Sequence, residues 1–302
     1  MAKVVVLALF GACAGCGSSP GKPELVWGKR GVQAGELVKP RAIAIDADDR
    51  IYLVDYTARI QAFDRDGKFL NRSWTTPDYR NGRPSGLSVD AKKNLIVSDS
   101  HYPTVRVYSP DGTLLQTIGG SVGSEPGRLG YISDAVCDAA GNFYISEFGM
   151  NSRISKFDPD GKFIQCWGSS GTAPGEFQRL RAMTLGSDGL LYVADAVNHR
   201  VQVFTTDGVF VRAWGSAGSG LGELSYPYDI AFSPGSTPAV YVVEFGNGRV
   251  QKFTPAGKSL GTWGSPGRAP GQLGSPWALA VDSRGRVHVV DSENDRIQRI
   301  DF

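Results

Sequence analysis

A chain of 302 residues, 41% hydrophobic and 21% charged, has the make-up of an ordinary globular protein with enough apolar surface for one sizeable core. A formal net charge of +2 supplies no overall field for nucleic acid or acidic membranes, so nucleic-acid binding would need a local basic face; given the export signal at the start of the chain, no nucleic-acid partner is expected. The 39 glycines recur at regular intervals, which speaks for turns and against disorder.

In chain order, the first segment stands apart. Lys3 precedes the apolar run 4–10, then come small residues around Cys13 and Cys16 and a polar stretch. A charged start, a short apolar run and a small-residue cleavage site make an export signal, expected over residues 1–15. The run falls short of the ~20 apolar residues that a membrane span needs. Ala14-Gly15-Cys16 resembles a bacterial lipoprotein signal, in which the cysteine becomes lipidated, although Cys13 stands where that pattern usually has leucine. The resemblance implies lipidation of Cys16, a flexible tether over 16–23 and anchoring in the cell envelope. The alternative is a soluble secreted or periplasmic protein.

From residue 24 to residue 302 one four-strand pattern recurs six times, and a single domain is expected. First strands lie at Ala42-Ile-Ala-Ile-Asp46, Gly86-Leu-Ser-Val-Asp90, Ala135-Val-Cys-Asp138, Ala182-Met-Thr-Leu-Gly186, Ile230-Ala-Phe-Ser233 and Ala278-Leu-Ala-Val-Asp282. Each second strand ends in an acid, at 55, 99, 147, 195, 244 and 291. A third strand follows, then Asp-Gly or a variant such as Ala256-Gly257, a hairpin signal because glycine accepts positive φ. The fourth strand commonly closes with Trp-Gly, as at Trp167, Trp214 and Trp263.

Counting strands predicts closure. The sixth unit ends on a third strand, while a spare fourth-type strand, Glu24-Leu-Val-Trp-Gly28, lies at the other end of the chain. The fold class is therefore all-β: a six-bladed β-propeller of four-stranded antiparallel blades, its last blade completed by the N-terminal strand. Such a ring leaves no long exposed edge. Cys137 and Cys166 fall on the first and fourth strands of one blade, ~14 Å apart. That exceeds the about 7 Å limit for a disulfide, so two buried free thiols are expected.

The lead-ins to the first strands carry Gly-x-x-Gly-x-x-Pro-Gly-x-Leu/Phe, as at Gly168-Ser-Ser-Gly-Thr-Ala-Pro-Gly-Glu-Phe177 and Gly264-Ser-Pro-Gly-Arg-Ala-Pro-Gly-Gln-Leu273. With the acid ending strand two and the arginine opening strand three, these residues resemble the NHL-repeat family. The resemblance implies six blades and binding of proteins, peptides or RNA, with a minority of members acting as lyases. In the zinc-dependent amidating lyases of this kind, the zinc histidines follow the proline that begins the first strand. The matching positions here are Arg41, Ser85, Ser133, Arg181, Tyr228 and Trp277, none of which is a histidine, cysteine or carboxylate. No zinc cage of that type, and no cofactor, is expected.

Comparing each residue with its five counterparts separates architecture from chemistry. The pairs Asp55/Arg59, Glu147/Arg153, Asp195/Arg200, Glu244/Arg249 and Asp291/Arg296 recur in five blades and read as two-pronged braces of the loops between second and third strands. The Asp-rich turns supply too few oxygens for calcium and read as turn chemistry. His288 replaces the second-strand tyrosine and reads as a packing residue. The six mouth positions differ from one another, with two cations, two hydroxyls and two aromatics, and fit an anionic group attached to something flat or apolar. The lead-in to blade two is short, which places a notch at the rim with Tyr79, Arg80, His101 and Tyr102 suited to partner contact.

The functional expectation is an exported, monomeric, non-catalytic binding or scaffold module. Its ligand would be a protein, a peptide or a small anion. The alternative is a lyase or hydrolase at the channel mouth, drawing on His101 or His199 with Tyr228.

Overall fold

A computed structural model describes residues 21–76, 84–100, 102–233 and 237–302. Cys16, Tyr79, Arg80 and His101 lie outside these residues. Six four-stranded antiparallel sheets form the blades of a propeller. Their first strands ring a central channel: Ala42–Ile45, Pro84–Val89, Tyr131–Cys137, Leu180–Leu185, Pro227–Ser233 and Pro276–Val281. The second strands, such as Leu190–Asp195 and Ala239–Glu244, are buried along almost their whole length and read as apolar runs up to the closing acid.

Closure is as expected. Leu25–Trp27 pairs antiparallel with Arg296–Ile300, in the register Leu25↔Arg299, Val26↔Gln298 and Trp27↔Ile297. Neighbouring blades are keyed together by the Trp-Gly and Asp-Gly signals. The ring of Trp167 lies over Gly208 in the next blade, where an added Cβ would sit 2.6 Å from the indole. Gly208 also has φ +81°, so it is glycine for both space and conformation.

The five acid–arginine pairs all form, at 2.5–3.0 Å. Their geometry differs from the two-pronged brace expected of them. One guanidinium nitrogen meets the acid, and the guanidinium also donates to carbonyls of the glycine-rich lead-in; in Arg59 one nitrogen, Nη2, does both while Nε donates to the Thr57 hydroxyl. Arg200, for example, reaches Asp195 Oδ2 through Nε, Thr172 O through Nη1, and Ala173 O and Glu176 O through Nη2. Asp195 Oδ1 in turn accepts from the Gln178 amide. The lead-in turns its carbonyls inward, and a planar five-donor group collects them as a carboxylate alone could not.

His288 does more than fill space. The Tyr144 and Tyr192 hydroxyls donate to the turn acids Asp138 and Asp188 at 2.8 and 2.7 Å, and His288 Nε2 meets Asp282 at 3.2 Å in the same place. The two cysteines are free but half-buried, short of the full burial expected. Both sit towards blade surfaces, where the open channel or solvent reaches them.

Candidate functional site at the channel mouth

Each mouth residue occupies a special place in its strand. The pairing of first with second strands skips one residue between Pro84 and Gly86, Ile132 and Asp134, Leu180 and Ala182, Pro227 and Asp229, and Pro276 and Ala278. The residue left over is Ser85, Ser133, Arg181, Tyr228 or Trp277. A β-bulge frees its residue from the ladder and re-aims the side chain, so the repeat itself builds the mouth. Arg41 lies just ahead of its strand, with its amide bonded to Val54 O at 2.8 Å.

Four of the six come together. The Arg41 guanidinium lies 4.4 Å from the Trp277 ring centre, and that of Arg181 lies 5.1 Å from Trp277 and 4.5 Å from Tyr228. Tyr228 stacks on Phe245 at 4.4 Å and meets Trp277 edge-on. The two arginines, opposite by blade number, thus meet on one aromatic ring. The serines do not join them. Ser85 Oγ donates to Ser133 O, and Ser133 is buried with its Oγ 2.8 Å from Ser146 Oγ. Of the rim residues, Tyr102 lies under Arg106 at 5.6 Å. His199 accepts from the Tyr226 amide through Nδ1 and packs against the Tyr226 ring.

Arg181 is the anomaly of the site. Its Nε is buried without a hydrogen-bond partner, and burial pushes its pKa down to about 10, which still leaves it charged at neutral pH. Cation–π contacts engage the faces of a guanidinium and leave its in-plane N–H donors available.

Below the mouth the channel opens into a chamber of about 380 Å³, walled by Ala42, Ala44, Gly86, Ala182 and Ala278. Two carboxyls enter it, Asp134 and Asp229, both missed by comparing only the residues that follow the prolines. They stand one position further on, where the other blades carry Ala42, Gly86, Ala182 and Ala278. That contrast of four small residues with two acids was the available signal. Each accepts an amide from the next blade, Asp134 from Met183 and Asp229 from Leu279, both at 2.9 Å. Burial raises both pKa values: Asp134 lies well above the usual carboxylate range, with Asp229 adding to the effect, and Asp229 is pushed up to about 7. Among the described residues, no three His, Cys, Asp or Glu side chains gather to hold a metal, and no helix is long and apolar enough to cross a membrane.

Comparison with known proteins supports the architecture. The NHL repeat model matches residues 177–204. The chain is 33% identical over 121 residues to peptidyl-glycine alpha-amidating monooxygenase B of Xenopus laevis, covering 37% of this chain and 14% of that protein. It is 28% identical over 170 residues to NHL repeat-containing protein 3 of Mus musculus, covering 51% of this chain and 48% of that one. The matches therefore span less than half of these relatives. Among solved structures, a streptogramin B lyase superposes with a TM-score of 0.60 at 14% identity, covering 86% of this chain and 92% of that chain, a likeness of fold alone. The described strands and the matched segment together identify the chain as a six-bladed β-propeller that carries an NHL repeat.

Proposed function

We propose that this propeller is a non-catalytic binding module, which takes an anionic group attached to a flat or apolar body at the channel mouth. The observation that carries the reading is Arg181, a charged guanidinium held between Tyr228 and Trp277 with a buried donor unused. An unsatisfied buried donor costs roughly 1–3 kcal/mol, so a site that keeps one gains by offering it to a ligand. A cleft of about 240 Å³ beside the mouth, lined by Arg41, Tyr56, Phe245 and Trp277, gives the apolar body a place to lie. Protein and peptide partners bearing an acidic group beside an aromatic fit the same chemistry.

Benzoate is the simplest probe of that description. Calorimetric titration should detect it on the unaltered protein and lose it in the Arg41→Ala/Arg181→Ala double variant, with the fold verified by circular dichroism. Equal binding by the folded double variant would remove the site from the mouth. The enzyme reading has weaker support, because His199 is turned to Tyr226 and not to the Tyr228 it would need. Export and a lipid anchor at Cys16 belong to the same proposal and rest on the N-terminal pattern. Mass spectrometry of the mature protein tests them, and a retained Met1 would exclude both.

A further inference from the structure

We infer that the chamber beneath the mouth is a separate site for a small anion with paired oxygens, a carboxylate or an inorganic oxyanion, which enters together with a proton. The inference shares Arg181 with the mouth reading and rests on it to that extent. Its geometry is the chamber's own: one arginine and two carboxyl side chains line one space of about 380 Å³. That volume suits a few-atom solute with water, and the small residues at the equivalent positions of the other four blades keep it open.

The charges around this space make the proton necessary. From blade four come Arg181 and Arg179, and from blade one Arg41, with Arg179 and Arg41 each within electrostatic reach of Arg181. Blade three supplies Asp134, and lower on the same strand Cys137, whose thiol burial pushes up to about 12, so it stays neutral. Blade six presents Trp277 and no titratable group on its first strand. Behind Asp229, Glu244 of its own blade is already paired with Arg249, and Asp195 of blade four with Arg200. An anion bound to Arg181 therefore faces two carboxyls that make no ion pair with another of the described residues. Ionised, they repel it; protonated, they can donate to it.

Burial lifts both carboxyls above the usual range, and Asp229, pushed up to about 7, is the group that changes state near neutral pH. Its folded pKa is raised, so it is neutral below about 7 and charged above. Anion affinity must then fall as pH rises through that value. Binding in turn raises the pKa of Asp229 further, by the reciprocity of linked equilibria.

Calorimetry with acetate and, separately, inorganic sulfate, neither of which gains or loses a proton between pH 6 and pH 8, tests this on the full chain. Affinity for at least one should be about tenfold weaker at pH 8 than at pH 6, with nearly one proton taken up per anion at pH 8. Buffers of different ionisation enthalpy read that proton directly, and the two anions separate a carboxylate site from an oxyanion site. Arg181→Gln should abolish binding, and Asp229→Asn should leave it independent of pH. Should either variant misfold, carbon-13 NMR of labelled aspartate on the unaltered protein reads the same linkage as an upward shift of the Asp229 titration on adding acetate. Acetate or sulfate binding with equal affinity at both pH values and no proton uptake would overturn the linkage. Absence of both anions at pH 6 would overturn the chamber site, while benzoate binding would still stand or fall on the mouth alone.

Discussion

The rim and the mouth of this propeller handle the same kind of residue in opposite ways. At the rim, five arginines each meet one acid and donate to lead-in carbonyls, so five of the six blades repeat much the same satisfied network. At the mouth, Arg181 sits deeper, has aromatic rings for neighbours and leaves Nε unpartnered. The difference teaches that charge in a repeat protein is architectural where it recurs and satisfied, and open to a ligand where it stands alone and unsatisfied.

That contrast can be broken first at the rim. Asp195→Ala would strand Arg200 and the Gln178 amide inside the blade, and should cost about 3–5 kcal/mol in urea unfolding. A loss below 1 kcal/mol would mean the rim pairs are ornamental. Next comes the join between blades. Gly208→Ala forces a Cβ against Trp167 at positive φ and should cost about 1–3 kcal/mol by the same measurement. The smallest effect belongs to the mouth. Arg181→Ala removes an unpaired buried charge along with its cation–π contacts, and these opposing terms should leave stability within about 1 kcal/mol. A large loss there would show that Arg181 is a structural brace like Arg200.

Much of the ring was legible in the sequence because one physical demand recurs six times. Turn glycines, alternating strands and the spare strand at residues 24–28 each predict the observed blades and their closure. The acid–arginine partners were legible for the same reason. The carbonyls completing each network were not, since every residue has a carbonyl and none carries a sequence signal. At the mouth, the positions of Arg41, Arg181, Tyr228 and Trp277 were readable, but their convergence was not. It depends on how far each bulge swings a long side chain, which a linear pattern does not encode. Ser133 faded from the site because a neighbour, Ser146, satisfies it first. Asp134 and Asp229 lay in plain view one residue further along, and only a comparison of that next position across the blades would have separated them.

The join between Leu25–Trp27 and Arg296–Ile300 has a kinetic meaning. Five blades are assembled from consecutive stretches of chain and can form as soon as their own strands exist. The sixth must wait for the two ends to find each other, and carries the loop-closure entropy of almost the whole described chain. Its three-residue edge strand is thus the last stitch sewn and the first to loosen, a seam in a ring that otherwise has none.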